Sequence, residues 1–89
     1  MVRLFFHIHN GDGFTADEEG REFESIEIAH SQALRDIRSI ISDEVKHGRA
    51  DLRGRVEVAD EEGKIVMAVP FADAIDFPQG PLPEETDGA

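Results

Sequence analysis

The sequence contains no cysteine, no tryptophan and no tyrosine. Without thiols there are no disulfides, no thiolate nucleophile and no cysteine-ligated zinc. Zero cysteine fits a reducing compartment. Bases are scarce as well: nine Lys and Arg face twenty Asp and Glu, a net charge of −11. Affinity for a phosphate backbone comes largely from Lys and Arg, so no nucleic-acid partner is expected. An anionic membrane surface is disfavoured on the same ground. No apolar run approaches the ~20 residues that a membrane-spanning helix needs. The apolar stretch in Met1-Val2-Arg3-Leu4-Phe5-Phe6-His7 is too short for a secretory signal. A cytoplasmic location is the expectation.

What is present suits one small domain. A chain of 89 residues hides only about 60% of its unfolded surface on folding, so its core is marginal. The acidic excess keeps such a chain soluble and steers a basic partner toward it.

Residues 2–9 alternate like a strand. Val2, Leu4, Phe6 and Ile8 fall on one apolar face, and Arg3, Phe5, His7 and His9 on the other. Asn10-Gly11-Asp12-Gly13 is turn chemistry. An acidic loop is expected over 14–19 and a short returning strand over 20–23. Ser25 is placed to cap a helix over 26–47, with Glu27 near its positive end. Ile26, Ala29, Ala33, Ile37, Ile40 and Glu44 lie near one stripe, widened by Leu34, Ile41 and Val45. Gly48 suits the helix stop. Residues 55–59 read as a strand with Val56 and Val58 inward, and 60–63 as a turn. In the return over 64–71 both faces are apolar, which predicts a strand that is central or covered on both sides. A turn of helix is expected over 71–75. Residues 78–89, rich in Pro, Gly and acid, are expected to be a disordered tail.

The expected fold is therefore α+β. Two β-hairpins form a four-stranded sheet packed on one long amphipathic helix, in the order β-β-α-β-β, with a single domain over 1–77.

No motif commits the chain to an enzyme class. There is no Gly-x-Ser-x-Gly, P-loop or dinucleotide fingerprint, and no cofactor is implied. His7 and His9 stand two apart on one strand face and are candidates for sharing a metal ion, with Asp12, Asp17 or Glu22 to complete the set. Residues 10–19 resemble a calcium loop superficially, but Thr15 stands where the EF-hand glycine belongs. The runs Asp17-Glu18-Glu19 and Asp60-Glu61-Glu62 lie in polar turns, where carboxylates are solvated rather than catalytic.

Phe5-Phe6-His7, Asp12-Gly13, Asp17-Glu18-Glu19-Gly20, the segment from Val56 through Gly63, and Val69-Pro70-Phe71 follow one another in a recognisable order. The chain resembles a family of small uncharacterised proteins common in rhizobia and related alphaproteobacteria. That resemblance implies no activity and no catalytic residue. A weaker resemblance is to HicB-type antitoxins, which open with a strand and an Asp/Gly-rich turn and place a helix after a short strand. It implies a regulator that occludes a small basic toxin.

One helix covers one face of a sheet. The other face is expected to expose Phe5, Val66 and Ala68 unless the segment through Ile75 and Phe77 folds back over it. Exposed apolar patches mark interfaces. The expected function is that of a non-enzymatic protein-interaction module, homodimeric or docked to another protein. Its interface is expected at Arg3, Phe5, His7, His9, Val66 and Ala68.

Overall fold

Alternation over the first ten residues produces strand β1 (Val2–Asn10). It organises the rest of the chain in the computed structural model, which describes residues 1–84. The chain continues through β2 (Gly13–Thr15), β3 (Arg21–Phe23), α1 (Ile26–Lys46), β4 (Arg55–Ala59), β5 (Ile65–Pro70) and a 3-10 turn (Phe71–Ala74). Every pairing is antiparallel, and the sheet runs β2-β1-β4-β5 with β3 also beside β1. The architecture is the expected α+β arrangement, with one difference. Gly13–Thr15, expected in a loop, is a strand, so the return limb of the first hairpin comes in two pieces. Of the expected tail, 78–84 carries neither helix nor strand, and 85–89 lies outside the described residues.

The inner face of the sheet holds the core. Leu4 and Phe6 of β1, Val56 and Val58 of β4 and Val69 of β5 are buried beneath Ala29, Ala33, Ile37 and Ile41 of the helix. Phe71 and Ala74 of the 3-10 turn complete that layer, and Arg38 Nε donates to Ala74 O at 2.7 Å to tie the turn to the helix. Ile75 packs on this same core, and Phe77 is exposed. Phe6 and Phe23 stack at 5.4 Å between ring centres. Arg21 lies 4.8 Å over Phe6 and pairs with Asp36 of the helix.

Sequence sets both helix ends. Ser25 Oγ accepts from Ile28 N–H at 3.1 Å. At the other end Gly48 N–H reaches Val45 O and Arg49 N–H reaches Glu44 O, the paired bonds of a Schellman stop. Ile26 and Val45, expected in the buried stripe, are exposed. A 21-residue helix is about 31 Å long, whereas strands β4 and β5, of five and six residues, reach about 17–20 Å. Both exposed residues, Ile26 and Val45, lie in the terminal turns of the helix.

Strand β5 also departs from expectation. It is the last strand of the sheet rather than a central one. A β-bulge sets Ile65 opposite Ala59 while Met67 stays opposite Val58. Ile65 thereby leaves the inner face on which simple alternation had placed it with Met67 and Val69. None of the helices among the described residues is long and apolar enough to cross a membrane.

Candidate interaction surface

Residues directly opposite each other in an antiparallel ladder share a face. The register therefore writes the outer face in three rows: Phe5–Ala59–Ile65, His7–Glu57–Ala68 and His9–Arg55–Pro70. The helix and the 3-10 turn both pack on the inner side. The first row is apolar. Ala59 is buried between its two larger neighbours, while Ile65 is 44% and Val66 40% exposed. The Phe5 ring lies against Gly20, where a Cβ would come within 2.8 Å of it.

The other two rows are polar on β1 and β4. His9 Nε2 donates to Glu57 Oε1 at 2.7 Å, and Arg55 Nε donates to Glu57 Oε2 at 3.3 Å. The His9 hydrogen bond holds the Glu57 carboxyl below the usual range, against a smaller opposing effect of desolvation, and Arg55 adds to the depression. Phe14 of β2 stands opposite His9 and lays its ring 4.6 Å from the His9 ring and 5.8 Å from that of His7. It is 57% exposed.

Asp17 explains how a broken strand can close an edge. Successive N–H groups of a strand point to opposite sides. Phe6 N–H, which meets Asp17 rather than β4, marks the edge opposite β4. Along that edge β3 covers residues 2–4 and β2 covers 8–10. Between them Asp17 Oδ2 accepts from Phe6 N–H at 3.0 Å, and Oδ1 accepts from Gly20 N–H and Glu19 N–H. The Asp17 amide donates in turn to His7 Nδ1 at 3.0 Å, so the hydrogen of a neutral His7 ring sits on Nε2. Partial burial raises the Asp17 pKa, but the three backbone donors and nearby Arg21 outweigh it and hold the carboxyl low. Arg3 secures the same loop, donating to Glu19 O at 2.7 Å and pairing with Glu22.

A second charged centre lies where the helix end meets the first hairpin. Asp51 is the one buried charged side chain among the described residues. Arg53 grips both Asp51 oxygens through Nε and Nη2 at 2.9 and 2.8 Å, and the Asp51 amide donates to Glu44 Oε1. The Arg53 side chain and amide push the Asp51 carboxyl far below its ordinary pKa, with Arg49 contributing less. Glu44, on the apolar stripe of the helix, is there to hold this connector. Gly54 follows because a Cβ would lie 2.6 Å from His9 O and 3.0 Å from the Phe71 ring. An open depression of about 240 Å³ adjoins Asp51, lined by Asp43, Glu44, His47 and Arg49. Both Asp51 oxygens and Glu44 Oε1 accept hydrogen bonds within this connector, which makes it a structural clasp.

All six residues expected at an interface map to β1 and β5. Arg3, Phe5, His7 and His9 line the first strand, and Val66 and Ala68 the last, with β4 between them. His7 and His9 share a face as expected, but each ring is engaged by a different partner. Among the described residues no group of three or more His, Asp or Glu side chains is disposed to hold a metal ion. Glu22 faces Arg3, Asp17 faces backbone amides, and Asp12 N–H caps Asn10 Oδ1 in the turn. Phe14 and Ile65 are members of this surface that residue alternation missed. A two-residue hairpin loop at Gly11-Asp12, read strictly, extends the strand through Thr15 and brings Phe14 beside His9.

The described residues define an α+β domain with one long helix, which packs on one face of the sheet. Residues 3–72 match DUF6894, described as a domain of unknown function, and the chain belongs to that family. No curated protein and no solved structure matches it.

Proposed function

We propose that the chain is a non-enzymatic protein-interaction module that self-associates in the cytoplasm through the side of the sheet its helix leaves open. What supports this is the exposure of Ile65 and Val66 at one end of that side and of Phe14 at the other, in a chain whose net charge is −11. Arg3, Phe5, His7, His9, Val66 and Ala68 are its interface residues, with Phe14 and Ile65 added to them. Light scattering after gel filtration tests the reading. A dimer that forms as concentration rises through the micromolar range is the expected result, and a strict monomer at high micromolar concentration overturns it.

A second reading is favoured by a separate observation. Residues 12–24, which include β2 and β3, carry six acids and a single base, Arg21. This strip suits a small basic protein partner, as a HicB-like antitoxin would require. Co-purification with the product of an adjacent gene encoding a small basic protein supports it. Failure of that pair to associate at low salt rejects it.

A further inference from the structure

We infer that two copies of the chain join antiparallel through the free edges of β5, on a two-fold axis at Met67. The inference rests on the self-association reading alone, and it places the contact at the β5 edge, where Val66 and Ala68 lie, rather than across the open face.

Three features of β5 carry it. The first is backbone availability. No strand among the described residues pairs with the outer side of β5. Phe71 N–H bonds Gly54 O across the Arg55–Pro70 pair, which makes that pair a non-hydrogen-bonded one. Alternation then turns the backbone groups of Ala68 and Pro70 toward the free edge. Pro70 has no N–H to offer there, so pairing is limited to residues 65–69. A two-fold antiparallel match of that stretch sets Met67 opposite its copy and Val66 opposite Ala68.

The second feature is charge. Ile65–Pro70 carries none, in a chain whose net charge is −11. Two such chains meet here without bringing like charges together, and Val66, Met67 and Ala68 each face an apolar side chain of the copy. The acidic strip at the other edge of the sheet repels its own copy. An isologous contact at one edge and repulsion at the other close the assembly at two chains.

The third feature is incomplete protection. Natural edge strands are blunted by Lys, Pro and bulges. Here Lys64, Pro70 and the bulge at Ile65 stand at the ends, and the middle is bare. Two five-residue edges bury less than the ~1,200 Å² typical of stable interfaces, so the dimer is weak and exchanges readily.

The absence of cysteine makes the test clean, because an introduced thiol is the only one present. Paired Cα atoms at a non-hydrogen-bonded site lie about 4.5 Å apart, within reach of a disulfide. Met67→Cys is expected to give a covalent dimer under mild oxidation at a rate at least about tenfold above Glu61→Cys in the β4–β5 turn, a difference of about 1.4 kcal/mol in effective barrier. Ala68→Pro removes an edge donor without removing a β4–β5 hydrogen bond, and is expected to leave a monomer with unchanged circular dichroism. If that variant does not fold, the crosslinking rates decide alone. A wild-type dimer that resists Ala68→Pro, with Met67→Cys crosslinking no faster than Glu61→Cys, overturns the edge geometry and leaves self-association standing. A wild-type chain that stays monomeric at high micromolar concentration overturns both.

Discussion

The two edges of this sheet solve the same problem in opposite ways. Each must deal with backbone groups that have no further strand to bond. At the β1 edge the chain returns in two short pieces, and a carboxylate substitutes for the missing middle, with acids crowded along the strip. At the β5 edge a continuous strand is left bare and uncharged. The first edge is closed by local hydrogen bonds and guarded by repulsion. The second has neither, which is why the contact between copies is assigned to it. Closure by side chain makes an edge sensitive to single substitutions, whereas an open edge tolerates them until a second chain is required.

The largest effect is expected where the closed edge is most crowded. Gly20 has φ +71°, and a Cβ there would meet Leu4 O at 3.0 Å as well as the Phe5 ring. Gly20→Ala combines a left-handed backbone penalty of about 1–2 kcal/mol with overpacking of about 1–3 kcal/mol. Urea unfolding is expected to show a loss of about 3 kcal/mol. Next comes Asp17→Ala, which strands the Phe6 and Gly20 amides. Its expected cost is about 2 kcal/mol, with faster exchange of the Phe6 amide hydrogen as a local readout. A smaller loss in Asp17→Asn, whose single side-chain oxygen still accepts, would confirm that hydrogen bonds rather than packing set the value.

Acid sharpens the contrast further. The pKa values of Asp17, Asp51 and Glu57 are all depressed in the folded chain. The unfolded chain therefore binds more protons in the acid range, and stability falls as pH drops. The contribution is complete above the ordinary carboxylate pKa of about 4 and is lost progressively below it. Thermal melts between neutral pH and pH about 3 are expected to show this decline, and Asp17→Asn and Asp51→Asn to flatten it. The smallest effect belongs to the open edge. Val66→Thr on an exposed strand position is expected to change unfolding free energy by less than about 0.5 kcal/mol. A large loss there, at concentrations where the chain is monomeric, would mean that β5 is covered within the chain itself.

Much of the fold was legible in the sequence, because its signals are local. Ser25 and Gly48 bracket the helix, alternation marks β1 and β4, and Asp60 to Gly63 spells a turn, in which Asp60 Oδ1 takes the amides of Glu62 and Lys64. The errors occur where position along the chain does not determine position in space. Apolar residues on both faces of β5 suggested a buried strand, but strand order depends on which segment reaches β1 first, and β4 occupies that place. The bulge that turns Ile65 outward adds one residue to the count and shifts the faces beyond it. Val45 has the right helical phase but lies in the last turn of the helix and is exposed. The outer face was legible as a face. Its internal wiring was not, because the bonds from His9 to Glu57 and from Asp17 to Phe6 join residues 48 and 11 positions apart.

The pairing of β1 with β4 has a consequence for how the chain can be divided. These neighbours in the middle of the sheet come from opposite sides of the helix: Arg55–Ala59 pairs with Phe5–His9 on one edge and with β5 on the other. A cut in the connector that holds Asp51 leaves two fragments. One has β1, its split return limb and the helix; the other has the second hairpin and Phe71. Each fragment owns half of one core, so neither is a folding unit. The two meet along the β1–β4 ladder and beneath the helix, and the structure is in this sense a pair of complementary halves joined by a short clasp.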